Sequence, residues 1–337
     1  MKILITGIAG FVGKHLVRYL VKDKDNEILG IDLKLDNFSI NNFIAGELQS
    51  KIKVLEVDIK DKKSVEDIIK KFKPLQVYHL AAQSSVNFSW ENPIETFRIN
   101  VFGGINILEG IKNCCPACKI LVVCTAEEYG ETGEERKAIN EDFKIYPSNP
   151  YAISKSALDF FSTTYYKAYN IAVFISRSFN HIGPGQSERF VASDFAKQIA
   201  EIEGGLREPV VKVGNIEVTR DFLDVRDVVE AYSCIINRGK AGQVYNVCSG
   251  IKYKVSDLLD ILMSLSAVPK IRIEVNKGRF RPIDTGIVYG DNSKIKNHTG
   301  WKPKYTIRYS LEDTLNYWRK DIITKNINKK RKNNDSR

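Results

Sequence analysis

Tyr151 and Lys155 stand four residues apart in the run Tyr151-Ala152-Ile153-Ser154-Lys155. On a helix that spacing puts both side chains on one face. An isolated phenol ionises near a pKa of about 10, and an ammonium beside it favours the phenolate. Such a phenol can exchange a proton with a substrate oxygen while hydride enters or leaves the carbon bearing it. Lys155 could also hold the ribose of a nicotinamide. Thr125 closes the apolar run Ile120–Thr125 and offers a hydroxyl to orient the substrate oxygen. A strand-end hydroxyl with only local partners is the plainer reading. Glu127 and Glu128 follow. A carboxylate there could act as a base, Glu127 ahead of Glu128, though exposed loop acids look the same.

Hydride needs a carrier, and the N-terminus reads as its binding site. Gly7, Gly10 and Gly13 follow the apolar run Lys2–Thr6 and open a segment in which Val12, Leu16, Val17 and Leu20 share a helical face. The spacing is GxxGxxG rather than GxGxxG. A residue without a side chain lets the backbone approach a pyrophosphate, and a helix N-terminus adds unpaired N–H groups and a positive dipole. Asp32 closes the second apolar run, 19 residues after Gly13. A carboxylate there binds a ribose 2′-hydroxyl and repels a 2′-phosphate, which favours NAD(H) and leaves NADP(H) open. A turn aspartate after a strand is the alternative. Asp58, after the third run, is expected near the adenine. Ala81 and Ala82 are small enough for a cofactor lying close to the fourth.

The elements that must position these residues alternate. Strands are expected at Lys2–Thr6, Glu27–Asp32, Lys53–Val57, Val77–Ala81, Ile120–Thr125 and Ala172–Arg177. Helices are expected at Gly13–Val21, Ser64–Phe72, about Ile94–Ile111 and Tyr151–Tyr169. That order predicts an α/β fold: a Rossmann-type, doubly wound parallel sheet covered by helices on both faces. Beyond about Ser178 the pattern loosens into a smaller, discontinuous C-terminal substrate domain. The expected dinucleotide-binding domain is 1–178 with returning segments at about 217–247. The substrate domain takes 179–216 and 248–322.

The net charge of +10 in 337 residues invites a nucleic-acid reading. Half of it sits from Lys325 onward, where apolar residues are almost absent. Residues 325–337 therefore read as a disordered basic tail, and neither nucleic acid nor membrane is an expected partner. A mildly basic body suits an anionic small substrate. Cys114, Cys115 and Cys118 look briefly metal-like, but a structural zinc site needs a second ligand pair; a helix-to-strand turn is expected there, with no metal and no disulfide framework. No apolar run reaches the ~18 residues of a membrane span. The three glycines of the opening argue against a signal peptide, so a cytoplasmic protein is expected.

Several further stretches share one resemblance. His79-Leu80-Ala81-Ala82, Asn100, Thr125-Ala126-Glu127-Glu128-Tyr129-Gly130 and the Tyr151–Lys155 run join the glycine-rich opening. Phe179–Gln186, Arg220–Asp227, Asn246–Gly250 and Arg281-Pro282-Ile283-Asp284 continue the pattern. Over residues 1 to about 320 the chain resembles the extended short-chain dehydrogenase/reductases in their sugar-nucleotide branch, most of all its GDP-4-keto-6-deoxy-D-mannose reductases. The resemblance implies Thr125, Tyr151 and Lys155 as the catalytic triad, with Glu127 beside them. It adds Phe11, Val12, Ile59, Leu80 and Asn100 to the cofactor shell. It implies Ser84, Asn180, Val191, Arg220, Arg281 and Asp284 around a GDP-linked 6-deoxy-4-keto hexose, where arginines suit phosphate oxygens. Arg220 could instead pair with Asp224 or Asp227, and Arg281 could be a surface residue. The family also implies a homodimer through the helices around Ile94–Ile111 and after Tyr151. Glu127 stands where the family's 4,6-dehydratases carry their base, so a GDP-mannose 4,6-dehydratase or an epimerase is the alternative. A non-enzymatic dinucleotide sensor could dispense with Tyr151 and Lys155.

Overall fold

The structure, a computed structural model, describes residues 1–35, 40, 44, 46–130, 137–280 and 286–334. Arg281 and Asp284 lie outside the described residues. In chain order, the first half runs β1 (Lys2–Thr6), α1 (Phe11–Leu20), β2 (Glu27–Asp32), β3 (Ile52–Glu56), α2 (Lys62–Phe72), β4 (Gln76–His79), α3 (Val86–Glu91), α4 (Pro93–Phe97), α5 (Gly103–Cys114), β5 (Lys119–Thr125), α6 (Pro150–Tyr169) and β6 (Ala172–Ser178). The second half runs β7 (Asn180–Ile182), α7 (Val191–Glu203), β8 (Val210–Val213), β9 (Thr219–Asp224), α8 (Val225–Arg238), β10 (Val244–Val247), β11 (Lys252–Lys254), α9 (Val255–Ser264), β12 (Arg272–Val275), β13 (Ile287–Val288), α10 (Ser293–Thr299) and α11 (Ile307–Asn334).

The chain divides into two compact units. The first, Met1–Phe179 with Arg226–Cys248 and Gly290–Lys302, holds a seven-stranded parallel sheet in the order β10-β6-β5-β4-β1-β2-β3. Its strands are near-continuous apolar runs because helices cover both faces: Ile3, Leu4 and Ile5 of β1 are fully buried. Ile107, Leu108 and Ile111 of α5 and Leu158 of α6 pack with Leu4, Val77, Ile120 and Val173 of the sheet. The strand order reverses between β1 and β4, the switch point at which open α/β sheets place ligands.

The helices start and stop for local reasons. Asp61 caps α2 by accepting from the Lys63 and Ser64 N–H groups. Asn149 caps α6 by accepting from Ala152 N–H, Pro150 takes the first turn, and Asn170 ends the helix in the left-handed region. The single long helix expected over Ile94–Ile111 is instead α4, one π-helical turn at Arg98–Phe102, and α5. Hydrophobic periodicity does not register the extra residue of a π turn. Cys114 ends α5 and Lys119 begins β5, so the cysteine run is a helix-to-strand turn.

The second unit, Asn180–Val225 with Ser249–Tyr289 and from Pro303 onward, has its own core of Phe195, Ile199, Leu258, Leu262, Leu315 and Trp318. Here β9 pairs with β7, β11 and β13. That pairing corrects the expected return at about 217: β9 belongs to the second unit, and the first takes back only Arg226–Cys248 and, beyond expectation, Gly290–Lys302. The backbone of α11 is helical to Asn334, through most of the stretch whose composition reads as a disordered tail.

Candidate active site

At the switch point the chain leaves β1 and turns through Gly7 at φ 75°. A Cβ on Gly7 would lie 2.8 Å from the Ala81 nitrogen, and one on Gly13 2.3 Å from the Gly7 oxygen. Both positions require glycine. Gly10 is the N-cap of α1 and has no side chain to satisfy the first-turn N–H groups. Those donors and the helix dipole suit a diphosphate. Phe11 and Val12, partly buried, form the start of α1. Asp32 is held against this loop: Ala9 N–H donates to Oδ2 and Leu33 N–H to Oδ1, each at 2.8 Å. Burial raises its pKa, opposed by those bonds and by Lys14 of α1.

Further along the strand ends, Asp58 accepts from Lys60 N–H at 2.9 Å and sits 3.6 Å from its ammonium. Ile59 is buried against Gly103, where a Cβ would come within 2.5 Å of Ile59 Cδ1. Leu80, Ala81 and Ala82 line the chain leaving β4. Thr6 ties the two strand tips together: its hydroxyl pairs with His79 Nδ1 at 2.8 Å and accepts from Ala81 N–H at 3.1 Å. Burial, with Lys155 nearby, pushes His79 down to about 3, so the ring is neutral.

Thr125, Tyr151 and Lys155 come together at the end of β5 and the start of α6. The Thr125 hydroxyl accepts from Glu127 N–H at 3.3 Å and hydrogen-bonds the Tyr151 phenol. Lys155 is buried and donates to the Val123 carbonyl at 2.8 Å. Burial lowers its pKa. Tyr151 departs from the sequence expectation. Its pKa is raised, because burial outweighs the Thr125 hydrogen bond. The phenol is held protonated, as a proton donor. Asn100, in the π turn, is fully buried; its amide donates to Ser154 Oγ at 2.9 Å and to Gln83 O at 3.0 Å. It thereby ties the π turn to α6 one residue before Lys155.

Glu127 and Glu128 have opposite surroundings. Glu127 is partly exposed and accepts from the Asn149 amide at 3.3 Å. Glu128 is fully buried, accepts from Thr125 N–H at 3.2 Å, and lies 3.3 Å from Arg177 Nε. The same guanidinium bonds Asp159 at 2.9 and 3.0 Å. Burial and the Asp159 charge push Glu128 up to about 8. Cys124, Glu128 and Asp159 would group as metal ligands, yet the positive centre among them is Arg177. Asn149 is legible in the sequence as an Asn-Pro helix start. Arg177 and Asp159 carry no such signal, because strand and helix meet only in the fold.

Set beside known proteins, the chain matches a sequence model of the GDP-mannose 4,6 dehydratase family over residues 4–314. The chain belongs to this family. It is an extended short-chain dehydrogenase/reductase and an NAD(P)-dependent enzyme that modifies nucleotide sugars. It is 34% identical over 318 residues to the GDP-6-deoxy-D-mannose reductase of Pseudomonas aeruginosa, covering 94% of this chain and 97% of that one. It superposes on the structure of RMD from Pseudomonas aeruginosa complexed with NADPH with a TM-score of 0.81, at 33% identity over 95% of this chain and 99% of the other. The dTDP-glucose 4,6-dehydratase of Bacillus anthracis in complex with NAD also gives 0.81, at 25% identity over 95% and 97% of the two chains.

In the second unit the expected substrate residues lie around β9 and at the head of α7. Asn180 is exposed on β7, and its amide reaches the Asp221 carbonyl at 3.4 Å. The Arg220 guanidinium donates to the carbonyls of Thr219 at 2.9 Å and Gly286 at 3.3 Å. Val191 is an exposed first residue of α7. Ser84, in the first unit, is exposed between β4 and α3. Among the described residues, no helix is long and apolar enough to cross a membrane.

Proposed function

We propose that this enzyme reduces the 4-keto group of GDP-4-keto-6-deoxy-D-mannose, giving GDP-D-rhamnose, with NADH favoured and NADPH accepted. The observation that carries the reading is the Tyr151 phenol bonded to Thr125, one helical turn before a buried Lys155 on α6. A nicotinamide dinucleotide held by the Gly7–Gly13 loop and Lys155 would supply hydride to the sugar carbon. Thr125 orients the carbonyl oxygen, and Tyr151 gives its proton to the oxygen that becomes a hydroxyl. Lys155 and Asn100 fix the geometry of the helix start. Gly7, Gly10 and Gly13 admit the diphosphate, Asp32 takes the adenosine ribose, and Asp58 lies towards the adenine. The family resemblance assigns Ser84, Asn180, Val191, Arg220, Arg281 and Asp284 to the nucleotide sugar.

The dehydratase reading rests on Glu127, a carboxylate held by Asn149 next to Thr125. Eliminating water from C5 and C6 asks for a base at C5 and a proton for the departing hydroxyl, both of which Glu127 would have to supply in turn, because Ala126 carries no acid and Glu128 is buried with Arg177. Reduction asks only for the proton that Tyr151 holds. The 34% identity to the reductase points the same way.

Absorbance at the reduced-nicotinamide band separates the two. We expect stoichiometric NAD(P)H oxidation with the 4-keto sugar nucleotide and no turnover of GDP-mannose. Conversion of GDP-mannose to the 4-keto product without net loss of NAD(P)H would overturn the assignment. A homodimer is part of the proposal: Ile94 and Phe102, with Ile153 and Phe160 of α6, are exposed apolar residues on the helices the family uses for pairing. Light scattering at micromolar concentration checks it, and a monomer would remove it.

A further inference from the structure

Cys115-Pro116-Ala117-Cys118 forms the turn between α5 and β5. Cys118 N–H donates to the Cys115 carbonyl at 2.8 Å, which closes the four residues into a β-turn. Such a turn holds its end Cα atoms within the ~7 Å that a disulfide spans. Pro116 and Ala117 are exposed, Cys115 is partly exposed, and Cys118 is buried with its thiol also 3.4 Å from the Lys119 carbonyl. Cys114 points elsewhere, with its sulfur 4.0 Å from the Glu66 carbonyl.

We propose that Cys115 and Cys118 form a dithiol–disulfide redox site, with Cys115 the attacking sulfur and Cys118 the resolving one. A hydroperoxide is the oxidant. The Cys115 sulfur attacks the outer peroxide oxygen, the O–O bond breaks, and an alcohol leaves with the thiol proton. The resulting sulfenic acid is displaced by the Cys118 sulfur, an S–S bond forms, and water leaves. Two thiols are oxidised by two electrons and one peroxide is reduced by two. Cys115 is partly exposed and open to a peroxide, whereas Cys118 is buried behind the turn, which fits this division of labour. The site lies at the opposite end of β5 from Thr125, ~20 Å away along a seven-residue strand.

Trypsin releases Asn113–Lys119 as one peptide carrying Cys114, Cys115 and Cys118, so the test reads directly from it. The intact enzyme is treated with a few equivalents of hydrogen peroxide, alkylated, digested and analysed by mass spectrometry. We expect this peptide to lose two hydrogens and to keep one alkylatable thiol, at Cys114. In Cys118→Ser the disulfide should vanish and a dimedone-trappable sulfenic acid should collect at Cys115. Dinucleotide affinity, followed by fluorescence, should be unchanged by oxidation, so the result stands apart from the catalytic assignment. Full alkylation of all three cysteines after peroxide, or a bridge between Cys114 and Cys115, would overturn the proposal.

Discussion

The first unit holds its site residues as a closed network, whereas the second presents its own at the surface. Asn100, Ser154, Lys155 and Thr125 are buried and bonded to one another or to the backbone beside them. Asn180 and Val191 are exposed, and Arg220 is partly exposed, with its guanidinium reaching the carbonyls of Thr219 and Gly286. A reacting centre gains from groups fixed before substrate arrives, because reorganisation then adds nothing to the barrier. A sugar-nucleotide site needs donors that can exchange water for phosphate and sugar oxygens. Disturbing the first unit should therefore change turnover or stability, and disturbing the second should change apparent substrate affinity.

The largest effect should come from Tyr151→Phe. Turnover should fall roughly a thousandfold, the scale of a lost general acid, with dinucleotide affinity within about twofold because the phenol acts in the transition state. Steady-state rates with a fluorescence titration of the cofactor check this. Near-normal turnover would remove Tyr151 from the mechanism.

Next in size is Arg177→Met. It leaves Glu128 and Asp159 buried without their cation, and loss of one partner from such a group destabilises by roughly 3–5 kcal/mol. Urea unfolding of the first unit measures it. Arg220→Ala is the matching change in the second unit. Stability should barely move, while KM for the sugar nucleotide rises about ten- to a hundredfold, the scale of hydrogen bonds to a charged group. Equal losses of stability in the two variants would break the comparison.

Glu128→Gln sharpens it. The carboxyl is raised to about 8 in the folded protein, against about 4.3 when unfolded. Between these values the folded state binds the extra proton, so stability contributed here is present at low pH and is lost as pH rises through about 8. An amide cannot ionise, and it keeps an acceptor for Thr125 N–H. The Tm of this variant should decline less than that of the parent between about pH 5 and pH 9. Parallel Tm curves would show that Glu128 does not titrate in this window.

The smallest effect concerns cofactor choice. Asp32→Ala should narrow the advantage of NADH over NADPH in kcat/KM by removing repulsion of a 2′-phosphate, with Lys14 nearby to receive it. A parent enzyme that already prefers NADPH would contradict the reading.

Local chemistry made much of this legible in the chain itself. The glycines at 7, 10 and 13, the buried apolar runs, Asp32 at a strand end and the Tyr151–Lys155 spacing each act over a few residues, so the sequence displays them. The parallel sheet follows from the alternation of such runs with amphipathic segments. Tertiary structure decided what depends on distant partners. The π turn that presents Asn100 is set by Ser154 and Gln83. The raised pKa of Tyr151 follows from the desolvation of its phenol in the fold. The unlike fates of two adjacent glutamates follow from Asn149 on one side and Arg177 on the other. The placement of β9 in the second unit follows from pairing with β7, β11 and β13, since a strand joins the sheet that satisfies its backbone.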